Sequence, residues 1–412
     1  MSCVFSNPTG NANARAALRG LLDGKILNEF HTTIAAFPGT AFDNLGAIGP
    51  LSEIRRRRFD PALQPVTRSW PLLEAGRLLS LKTGLSKLVR HEKGLFCIDA
   101  VCQNLDKHVA AGLKRLSRRG VGSVYAYEDG ALFSFREAKK LGLTRLYDLP
   151  IGYWRASRRF LFPERERWPE WVPTMGEFLD SEEKLARKDE ELRLANRIFV
   201  ASSFTARTLQ DFPGTLAPVE VIPYGFPPVN TNRAYNSFNN KRPLKLLFVG
   251  GLSQRKGIAN LFEAVKSFGA NIELTLVGHK GSDNCPALDD ALARHHWIPS
   301  LSNADILQLM REQDVFIFPS LFEGFGLVIT EAMSQGMPVI TTDRTAGADF
   351  IEHGKNGWLV EAGSTDALRA AIEELLQHPG KIEKAGREAR ETASKRPWEI
   401  YGKELAEAII KY

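Results

Sequence analysis

The chain has 412 residues, of which 43% are hydrophobic and 25% are charged. These values predict a soluble globular protein with two or more domains. The formal net charge of +6 suits anionic ligands or an anionic membrane surface, and it is too small to indicate nucleic-acid binding. No apolar run is long enough to span a membrane, which excludes an integral membrane protein.

Two features of the sequence favour the cytoplasm. The first residues, MSCVFSNPTG, lack the basic and apolar regions of a signal peptide. The four cysteines, at positions 3, 97, 102 and 285, have neither the spacing of a metal site nor that of a disulfide framework. We therefore expect a cytoplasmic protein with reduced cysteines.

The N-terminus has the pattern that opens a Rossmann-like domain. A short apolar run, Cys3 to Phe5, precedes a turn-rich loop, SNPTGNAN, and a helix begins near Ala14. The pattern G-x-G-x-x-G is absent, so no dinucleotide fingerprint is found here. Four consecutive arginines, Arg55 to Arg58, follow later in this half. Such a run is usually a solvated face, and the alternative is contact with a phosphorylated or lipid-linked molecule at a membrane surface.

The next segments predict two strands, at residues 95–101 and 121–127. The second strand ends in YEDG, and ligands of open α/β sheets bind at the carboxyl ends of strands. Glu128 and Asp129 are therefore the strongest cleft candidates of the first half. The alternative role for Asp129 is to cap the N-terminus of the helix that follows.

Residues 148–175 are rich in Trp, Arg and Pro and have no clean period, which predicts an irregular, partly helical cap over a cleft. Their tryptophans are either sugar platforms or packed side chains. Residues 179–196 predict a helix whose opposite charges at helical spacing indicate a solvated face. Residues 226–243 are rich in Pro and Asn, and we interpret them as the linker between two domains.

The second half begins with a further strand, loop and helix. Leu244 to Val249 predicts a buried strand, and the loop GGLSQRKG follows it. Glycines before a helix N-terminus, together with two adjacent cations, Arg255 and Lys256, describe a phosphate cradle. The alternative is a solvated Arg-Lys turn.

The stretch Asp314 to Thr342 predicts a strand, a loop, a helix and a strand. The helix, which begins near Leu327, leaves its first N–H groups unpaired, and Gly324 and Gly326 leave room for a ligand close to the backbone. An anion, above all a phosphate, suits this place.

Two carboxylates flank this phosphate position. Glu323 lies in the loop and Glu331 on the helix, so both can point at one ligand from different directions. The pattern predicts a ligand with a diphosphate in its middle and sugars at both ends. The alternative is an ordinary turn with two solvated glutamates.

The segment PSLFEGFGLVITEAMSQGMPVITT, followed by GKNGWLV at 354–360, resembles the C-terminal domain of the retaining glycosyltransferases of family four. The resemblance covers most of residues 220–400 and is weaker before residue 190. It implies that Glu323 contacts hydroxyls of a donor sugar and that Glu331 contacts the ribose of the nucleotide.

The resemblance also assigns the phosphate cradle. The family carries an arginine directly after the first glycine and a lysine five residues later; here Lys256 is present, Gly251 departs from the pattern, and Arg255 is the candidate replacement. The catalytic residues implied are Glu323, Lys256 and Arg255. The donor-binding residues implied are Gly250, Gly251, Gly324, Phe325, Gly326, Leu327, Glu331, Ile298 and His279.

In enzymes of this fold the loop after the first strand helps to hold the acceptor, and a plain turn is the alternative. The acceptor-binding candidates are Asn7, Gly10, Arg15, Glu128 and Asp129. The implied fold class is α/β of the GT-B type, with two Rossmann-like domains facing each other across a cleft. Residues 1–225 would bind the acceptor, 226–243 link the domains, 244–395 bind the nucleotide sugar, and 396–412 form a helix that crosses back.

The resemblance implies a retaining glycosyltransferase. It would move a sugar from a nucleotide-diphosphate donor to a hydroxyl of a glycan, a lipid-linked saccharide or a small molecule. We expect no cofactor and no metal, because cations and a helix terminus suit the phosphates and no Asp-x-Asp motif is present. A nucleic acid is not expected as a partner, whereas peripheral contact with the inner face of an anionic membrane is. The alternatives are a sugar-nucleotide epimerase of the same fold and a non-catalytic nucleotide-sugar-binding protein.

Overall fold

The computed structural model describes residues 2–46, 54–235 and 242–411. Within these ranges the strands form two parallel sheets, one of seven strands in the N-terminal half and one of six in the C-terminal half. In the same ranges, no helix combines the length and the apolar character that crossing a membrane requires.

The first sheet is an open parallel sheet with helices on both faces. Its strands are β1 (Ser2–Ser6), β2 (Leu27–Thr32), β3 (Thr67–Ser69), β4 (Val121–Tyr127), β5 (Thr144–Leu149), β6 (Arg197–Val200) and β7 (Val219–Val221). Their spatial order is β3-β2-β1-β4-β5-β6-β7, so the order reverses between β1 and β4. Fully buried rings hold the centre of this sheet, where Phe5 stacks on Tyr125 with 5.0 Å between centroids.

The helices of this half connect the strands. They are α1 (Ala12–Asp23), α2 (Ala41–Leu45), α3 (Leu72–Lys82), α4 (Ile98–Ser117), α5 (Leu132–Lys140), α6 (Trp154–Arg167), α7 (Glu182–Leu194) and α8 (Ser203–Thr208). Short 3-10 turns lie at Pro61–Val66, Ser86–Val89, Pro169–Thr174, Gly176–Phe178 and Leu209–Asp211.

The strand predicted at residues 95–101 is wrong, because α4 begins inside it. Cys97 caps the helix by accepting a hydrogen bond from the backbone N–H of Ala100 at 3.4 Å. The buried side chains Val101 and Leu105 are one helical turn apart. A short apolar run does not distinguish a strand from a buried helix segment, and here the spacing decides for the helix.

The helix predicted at residues 179–196 forms as α7, but the prediction of a solvated face is wrong. Lys184, Lys188, Asp189 and Glu191 are each at most 9% exposed. Their partners come from other elements, as when Lys184 Nζ lies 3.2 Å from Asp99 Oδ1 on α4. The charges pair between elements, so they can be buried.

The second sheet has the same design. Its strands are β8 (Leu244–Val249), β9 (Ile272–Val277), β10 (His296–Ile298), β11 (Val315–Phe318), β12 (Val339–Thr342) and β13 (Gly357–Val360). Their order is β10-β9-β8-β11-β12-β13, and it reverses between β8 and β11. The helices are α9 (Ile258–Lys266), α10 (Pro286–Leu292), α11 (Asn303–Glu312), α12 (Leu327–Ser334), α13 (Gly347–Phe350), α14 (Thr365–Gln377), α15 (Gly380–Ser394) and α16 (Trp398–Ile410). Short 3-10 turns lie at Gln254–Lys256 and Gly269–Asn271.

The last helix, α16, returns to the N-terminal half and packs on α1. The two helices approach closely at Gly20 and Gly402, where a Cβ atom on Gly20 would lie 1.9 Å from the carbonyl oxygen of Gly402. The incoming chain also meets the earlier crossing between the halves, because the backbone N–H of Phe226 donates to the carbonyl of Arg396 at 2.8 Å. The two connections between the halves therefore lie side by side.

Candidate active site

Two loops of the C-terminal half meet where its strand order reverses. One loop follows β8 and covers residues 250–257, and the other follows the adjacent strand β11 and covers residues 319–326. The carboxyl ends of strands at such a reversal are the usual ligand site of open α/β sheets. The loops are joined directly, since the backbone N–H of Leu321 donates to the carbonyl of Arg255 at 2.8 Å.

Glu323 lies between the two cations of the first loop. Lys256 Nζ donates a hydrogen bond to Glu323 Oε2, and Arg255 Nη1 lies 3.6 Å from the same oxygen. Arg255 Nη1 also donates to the carbonyl of Phe322 at 3.0 Å. Lys256 is only 8% exposed, and its Nζ lies 5.1 Å from the centre of the Phe318 ring. A carboxylate and two cations are thus concentrated at one place with little water around the lysine.

These groups open into a cleft of about 410 Å³ between the two halves. Eight of the predicted catalytic and donor-binding residues line it: Gly250, Gly251, Arg255, Lys256, Glu323, Phe325, Gly326 and Leu327. The opposite wall comes from the N-terminal half and the segment after β7, through Asn11, Asn13, Pro150 and Tyr224.

Two glycines of the second loop meet different structural requirements, one of backbone conformation and one of space. Gly326 has a φ of +87°, a left-handed conformation that other residues rarely adopt, and it is the residue from which α12 starts. The prediction that Gly324 leaves room for a ligand is wrong. A Cβ atom there would lie 1.9 Å from the carbonyl oxygen of Pro150, so the backbone of the N-terminal half fills this space.

The start of α12 faces the cleft without a side-chain cap. Leu327 and Val328, which line the cleft, supply the first backbone N–H groups of this helix. Helix N-termini carry partial positive charge and bind anions. The cleft therefore offers a helix terminus, a lysine and an arginine around one position.

Gly251, where the sequence departs from the family pattern, faces open space. A Cβ atom at this position meets no other atom within 4 Å, and the backbone is not left-handed. The fold therefore accommodates a Cβ atom here, at a position that opens into the cleft.

Glu331, His279 and Ile298 do not line this cleft. Glu331 lies on α12, where it accepts a hydrogen bond from Asn303 Nδ2 at 2.9 Å, and its partial burial raises the pKa of its carboxyl group. The carbonyl of His279 accepts a hydrogen bond from the N–H of Leu252 at 2.9 Å, and the carbonyl of Ile298 accepts one from the N–H of Gly278 at 3.0 Å. These bonds stabilise the end of the sheet.

The acceptor candidates of the first loop do not reach the cleft. Asn7 Oδ1 accepts from the N–H groups of Thr9 and Gly10 at 3.0 and 2.7 Å, so it stabilises its own turn. A side chain at Gly10 would meet the Phe59 ring, and Arg15 Nη2 donates to the carbonyl of Arg56 at 2.5 Å.

Asn11 and Asn13 line the cleft instead, and sequence analysis did not single them out. Asn11 caps α1 by accepting from the N–H of Ala14 at 3.1 Å, and Asn13 Nδ2 donates to the Tyr224 hydroxyl at 3.0 Å. Their position in the sequence could have indicated this. An N-cap asparagine directly after a strand and a turn points toward the carboxyl edge of the sheet.

Glu128 and Asp129 belong to a buried ion network and do not line the cleft. Lys188 Nζ lies 3.5 Å from Glu128 Oε2, and Arg187 Nη2 lies 2.9 Å from Asp129 Oδ1. Burial raises the pKa of Glu128 to about 7.

The alternative role of Asp129 as the cap of α5 is also wrong. Asp106 accepts hydrogen bonds from the N–H groups of Phe133 and Ser134 at 2.6 and 3.0 Å. Glu191 accepts from the N–H groups of Ala131 and Leu132, each at 3.2 Å. Two distant carboxylates thus take the place of a local cap.

The predicted cap, residues 148–175, is helical in its middle and packs against both halves. The Trp171 ring stacks on Phe262 in the C-terminal half with 5.8 Å between centroids, and Trp154 Nε1 donates to Asp189 at 2.8 Å. Trp168 also packs against the core of the C-terminal half. All three tryptophans are therefore in packed positions.

The same segment holds the loop that carries the two cations. The side chain of Gln254 is completely buried, and its Nε2 donates to Glu164 Oε2 at 2.8 Å. Its backbone N–H donates to Thr174 Oγ1 at 3.0 Å. Arg255 and Lys256 directly follow this anchored residue, so α6 and the turn after it position the cations.

In a comparison with known protein families, residues 228–392 match the family model described as "Glycosyl transferases group 1". The capsular polysaccharide biosynthesis glycosyltransferase CapM of Staphylococcus aureus is 30% identical over 151 residues, which are 35% of this chain and 39% of CapM. The phosphatidyl-myo-inositol mannosyltransferase of Mycobacterium leprae is 28% identical over 166 residues, which are 39% of this chain and 44% of that enzyme. The chain thus matches about two fifths of the length of these relatives.

Solved structures resemble the whole chain. Sucrose-phosphate synthase from Thermosynechococcus elongatus superposes with a TM-score of 0.68 at 17% identity, covering 100% of this chain and 98% of that one. Anabaena HepE, solved in complex with UDP and glucose, gives a TM-score of 0.64 at 18% identity, with 100% of both chains covered. These likenesses establish the fold, and the expected GT-B architecture is confirmed.

Proposed function

Because residues 228–392 carry the glycosyl transferases group 1 domain on a chain with the GT-B fold, we propose that this protein is a retaining glycosyltransferase. It transfers a sugar from a nucleotide-diphosphate donor to a hydroxyl group of a glycan or a lipid-linked saccharide. The observation that carries the proposal is the grouping of Lys256, Arg255, Glu323 and the start of α12 around one cleft.

The donor phosphates fit between the cations and the helix start. Departure of a nucleoside diphosphate leaves negative charge on the phosphate, and fixed donors stabilise that charge in the transition state. Lys256, Arg255 and the N–H groups of Leu327 and Val328 are the donors available. Binding exchanges the contact of Lys256 with Glu323 for a contact with phosphate, which releases the carboxylate toward the sugar.

Glu323 acts on the sugar that gains positive charge. Glu323 itself lines the cleft, and its carboxylate accepts hydrogen bonds from sugar hydroxyls. The nucleoside diphosphate leaves from the face of the sugar on which the acceptor hydroxyl attacks. The bond from the sugar to the phosphate oxygen breaks as the bond to the acceptor oxygen forms, and the departing phosphate accepts the hydroxyl proton. This route requires no protein nucleophile and no metal ion.

On the acceptor side, Asn11, Asn13 and Tyr224 face the same cleft. Amide and hydroxyl groups both donate and accept hydrogen bonds, which suits a hydroxyl-rich acceptor. We assign these three residues to the acceptor side in place of Asn7, Gly10 and Arg15, which do not line the cleft.

The test is a donor-turnover assay with a panel of nucleotide sugars, with and without glycan acceptors. We expect release of the nucleoside diphosphate from one donor and full activity in the presence of EDTA. The product should have the same anomeric configuration as the donor sugar. Release of an epimerised nucleotide sugar without an acceptor would identify an epimerase. Tight donor binding without any turnover would identify a binding protein, and rescue of EDTA-treated protein by Mg²⁺ or Mn²⁺ would overturn the metal-free route.

A further inference from the structure

One surface of the N-terminal half, residues 72–98, exposes apolar side chains. Among the residues that the structure describes, exposed large apolar side chains concentrate here: Leu72, Leu79, Leu81, Leu85, Leu95 and Ile98. Leu72 is 83% exposed and Leu95 is 65% exposed. Clustered exposed apolar groups indicate an interaction site rather than an ordinary surface.

Helix α3, at the start of this surface, buries a charged side chain and exposes apolar ones. Its carboxylate Glu74 is 1% exposed and accepts from Arg57 and Arg77, each at 2.7 Å. Leu72 and Leu79, two helical turns apart on one face, point away from the core instead. A helix on a protein surface normally buries its apolar stripe, so these exposed leucines are available to a partner.

The exposed charges of the same surface are positive. Its exposed cations are Lys82, Lys87, Arg90 and Lys93. Its acids are withdrawn: Glu74 is buried, and Glu92 accepts hydrogen bonds from the backbone N–H of Ser181 at 2.9 Å and from the Ser181 hydroxyl. A partner with both apolar and anionic groups would complement this surface.

We propose that residues 72–98, which we call the basic-apolar surface, dock on an anionic lipid membrane. Leucine side chains enter the boundary between headgroups and acyl chains, and lysine and arginine side chains contact the lipid phosphates. A second copy of the chain is a poor occupant, because two-fold contact would place the same cations opposite one another.

The position of the surface fits the proposed function. It begins just after β3, at the carboxyl edge of the first sheet, and Asn11 and Asn13 follow β1 at the same edge. Docking would bring this edge, with the cleft, toward lipids that carry an acceptor saccharide. The inference deepens the proposed function, but vesicle binding is measurable without any sugar transfer.

The test is flotation of the full chain with vesicles of phosphatidylcholine alone or mixed with phosphatidylglycerol. We expect binding to the mixed vesicles only, weakened by salt because surface charges are screened. Leu79→Gln with Leu85→Gln, and separately Lys87→Glu with Lys93→Glu, should each lower the vesicle partition coefficient about tenfold or more. Melting temperatures should stay near that of the wild type, since the leucines are exposed.

Matched controls lie on other elements: Ile410→Gln, which changes another exposed apolar side chain, and Lys384→Glu, which reverses another exposed lysine. Both should bind vesicles within about twofold of the wild type. Absence of binding to mixed vesicles, equal binding to neutral vesicles, or a dimer that the leucine variant dissociates would overturn the proposal. Loss of sugar transfer to a water-soluble acceptor would count against the proposed function and leave vesicle binding unaffected.

Discussion

At the scale of single residues, the arrangement around Gly251 makes Arg255 the critical test of the phosphate site. Arg255→Ala should lower kcat/KM by about two to three orders of magnitude, the effect of losing one transition-state donor. Gly251→Arg in the same protein should restore part of it, because the position has open space and an ordinary backbone. Gly251→Ala is the control and should be near neutral. Near-normal kinetics in Arg255→Ala would show that Lys256 acts without it.

The two glutamates should fail differently when each is changed to glutamine. Glu323 is assigned to the sugar that gains positive charge, so Glu323→Gln should mainly lower kcat. Glu331 does not line the cleft, but the family resemblance implies that it contacts the ribose. Contacts to the ribose change little during transfer, so Glu331→Gln should mainly raise KM. A hydrogen bond to a charged acceptor is worth about 1.5–3 kcal/mol, which sets the expected size of each loss. Wild-type kcat in a folded Glu323→Gln protein contradicts its assignment.

Sequence alone could predict the site residues whose positions depend on neighbouring residues, and it missed those whose positions depend on distant parts of the chain. Lys256 and Glu323 lie in short loops next to strands, so their order along the chain already brings them to one sheet edge. Asn13 faces the cleft because of its contact with Tyr224, which is 211 residues away. The sequence predicts space for a ligand at Gly324, because no local pattern shows that Pro150 fills that space.

At the scale of elements, buried carboxyl groups under the first sheet predict a pH dependence of stability. Burial raises the pKa of Asp148 to about 7, although the Tyr125 hydroxyl donates to it. Between about pH 4 and 7 the folded protein keeps a proton that the unfolded chain has released, so stability falls as pH rises through this window. Burial also raises the pKa of Asp106, to about 6, which adds to the fall.

Asp148→Asn has no such proton, so its free energy of unfolding should fall less between pH 5 and 8 than that of the wild type. Urea unfolding at the two pH values measures the difference. Asp290→Asn, which changes an exposed carboxylate, is the matched control. An unchanged slope in Asp148→Asn would mean that this carboxyl group is ionised in the folded protein.

Helix α6 should position the cations of the active site through Gln254. Glu164→Ala removes one of the two acceptors of its buried amide, the other being Asn260 Oδ1, and we expect the Kd of the donor to rise about tenfold. Glu164→Gln keeps an acceptor oxygen at the same place and should restore most of the affinity. Equal donor affinity in both variants, measured by calorimetry, would show that the loop holds its shape without α6.

The sequence predicted most helices and strands. It failed where the same pattern of charged or apolar side chains is compatible with two different structures. Residues 95–101 read equally well as a strand or as the start of a helix. The charges of α7 have the spacing of a solvated helix, yet Lys184 and Glu191 are buried because their partners arrive from α4 and from the turn before α5. Such pairings join distant parts of the chain, and a helical period does not report them.

At the scale of the whole molecule, contact between the halves at Gly324 should govern how the cleft closes. Gly324→Ala places a Cβ atom against Pro150 and should separate the halves, while its backbone angles remain allowed. We expect a larger radius of gyration by small-angle scattering and a lower kcat, with donor affinity little changed. Gly251→Ala, also in the cleft but in open space, is the matched control. An unchanged radius would mean that the two loops adjust locally.

The paired crossings at Phe226 and Arg396 limit the freedom with which the halves can move. Two rigid bodies joined by one flexible link can rotate about three axes, but two adjacent links hydrogen-bonded to each other leave essentially one. Any opening of the cleft is then a rotation about that common line, and the displacement of a cleft residue grows with its distance from it. The cleft wall near Tyr224, two residues from this line, therefore stays almost fixed while the far rim sweeps an arc. We therefore expect ligands to enter and leave at the far rim and to be held in place at the end near Tyr224.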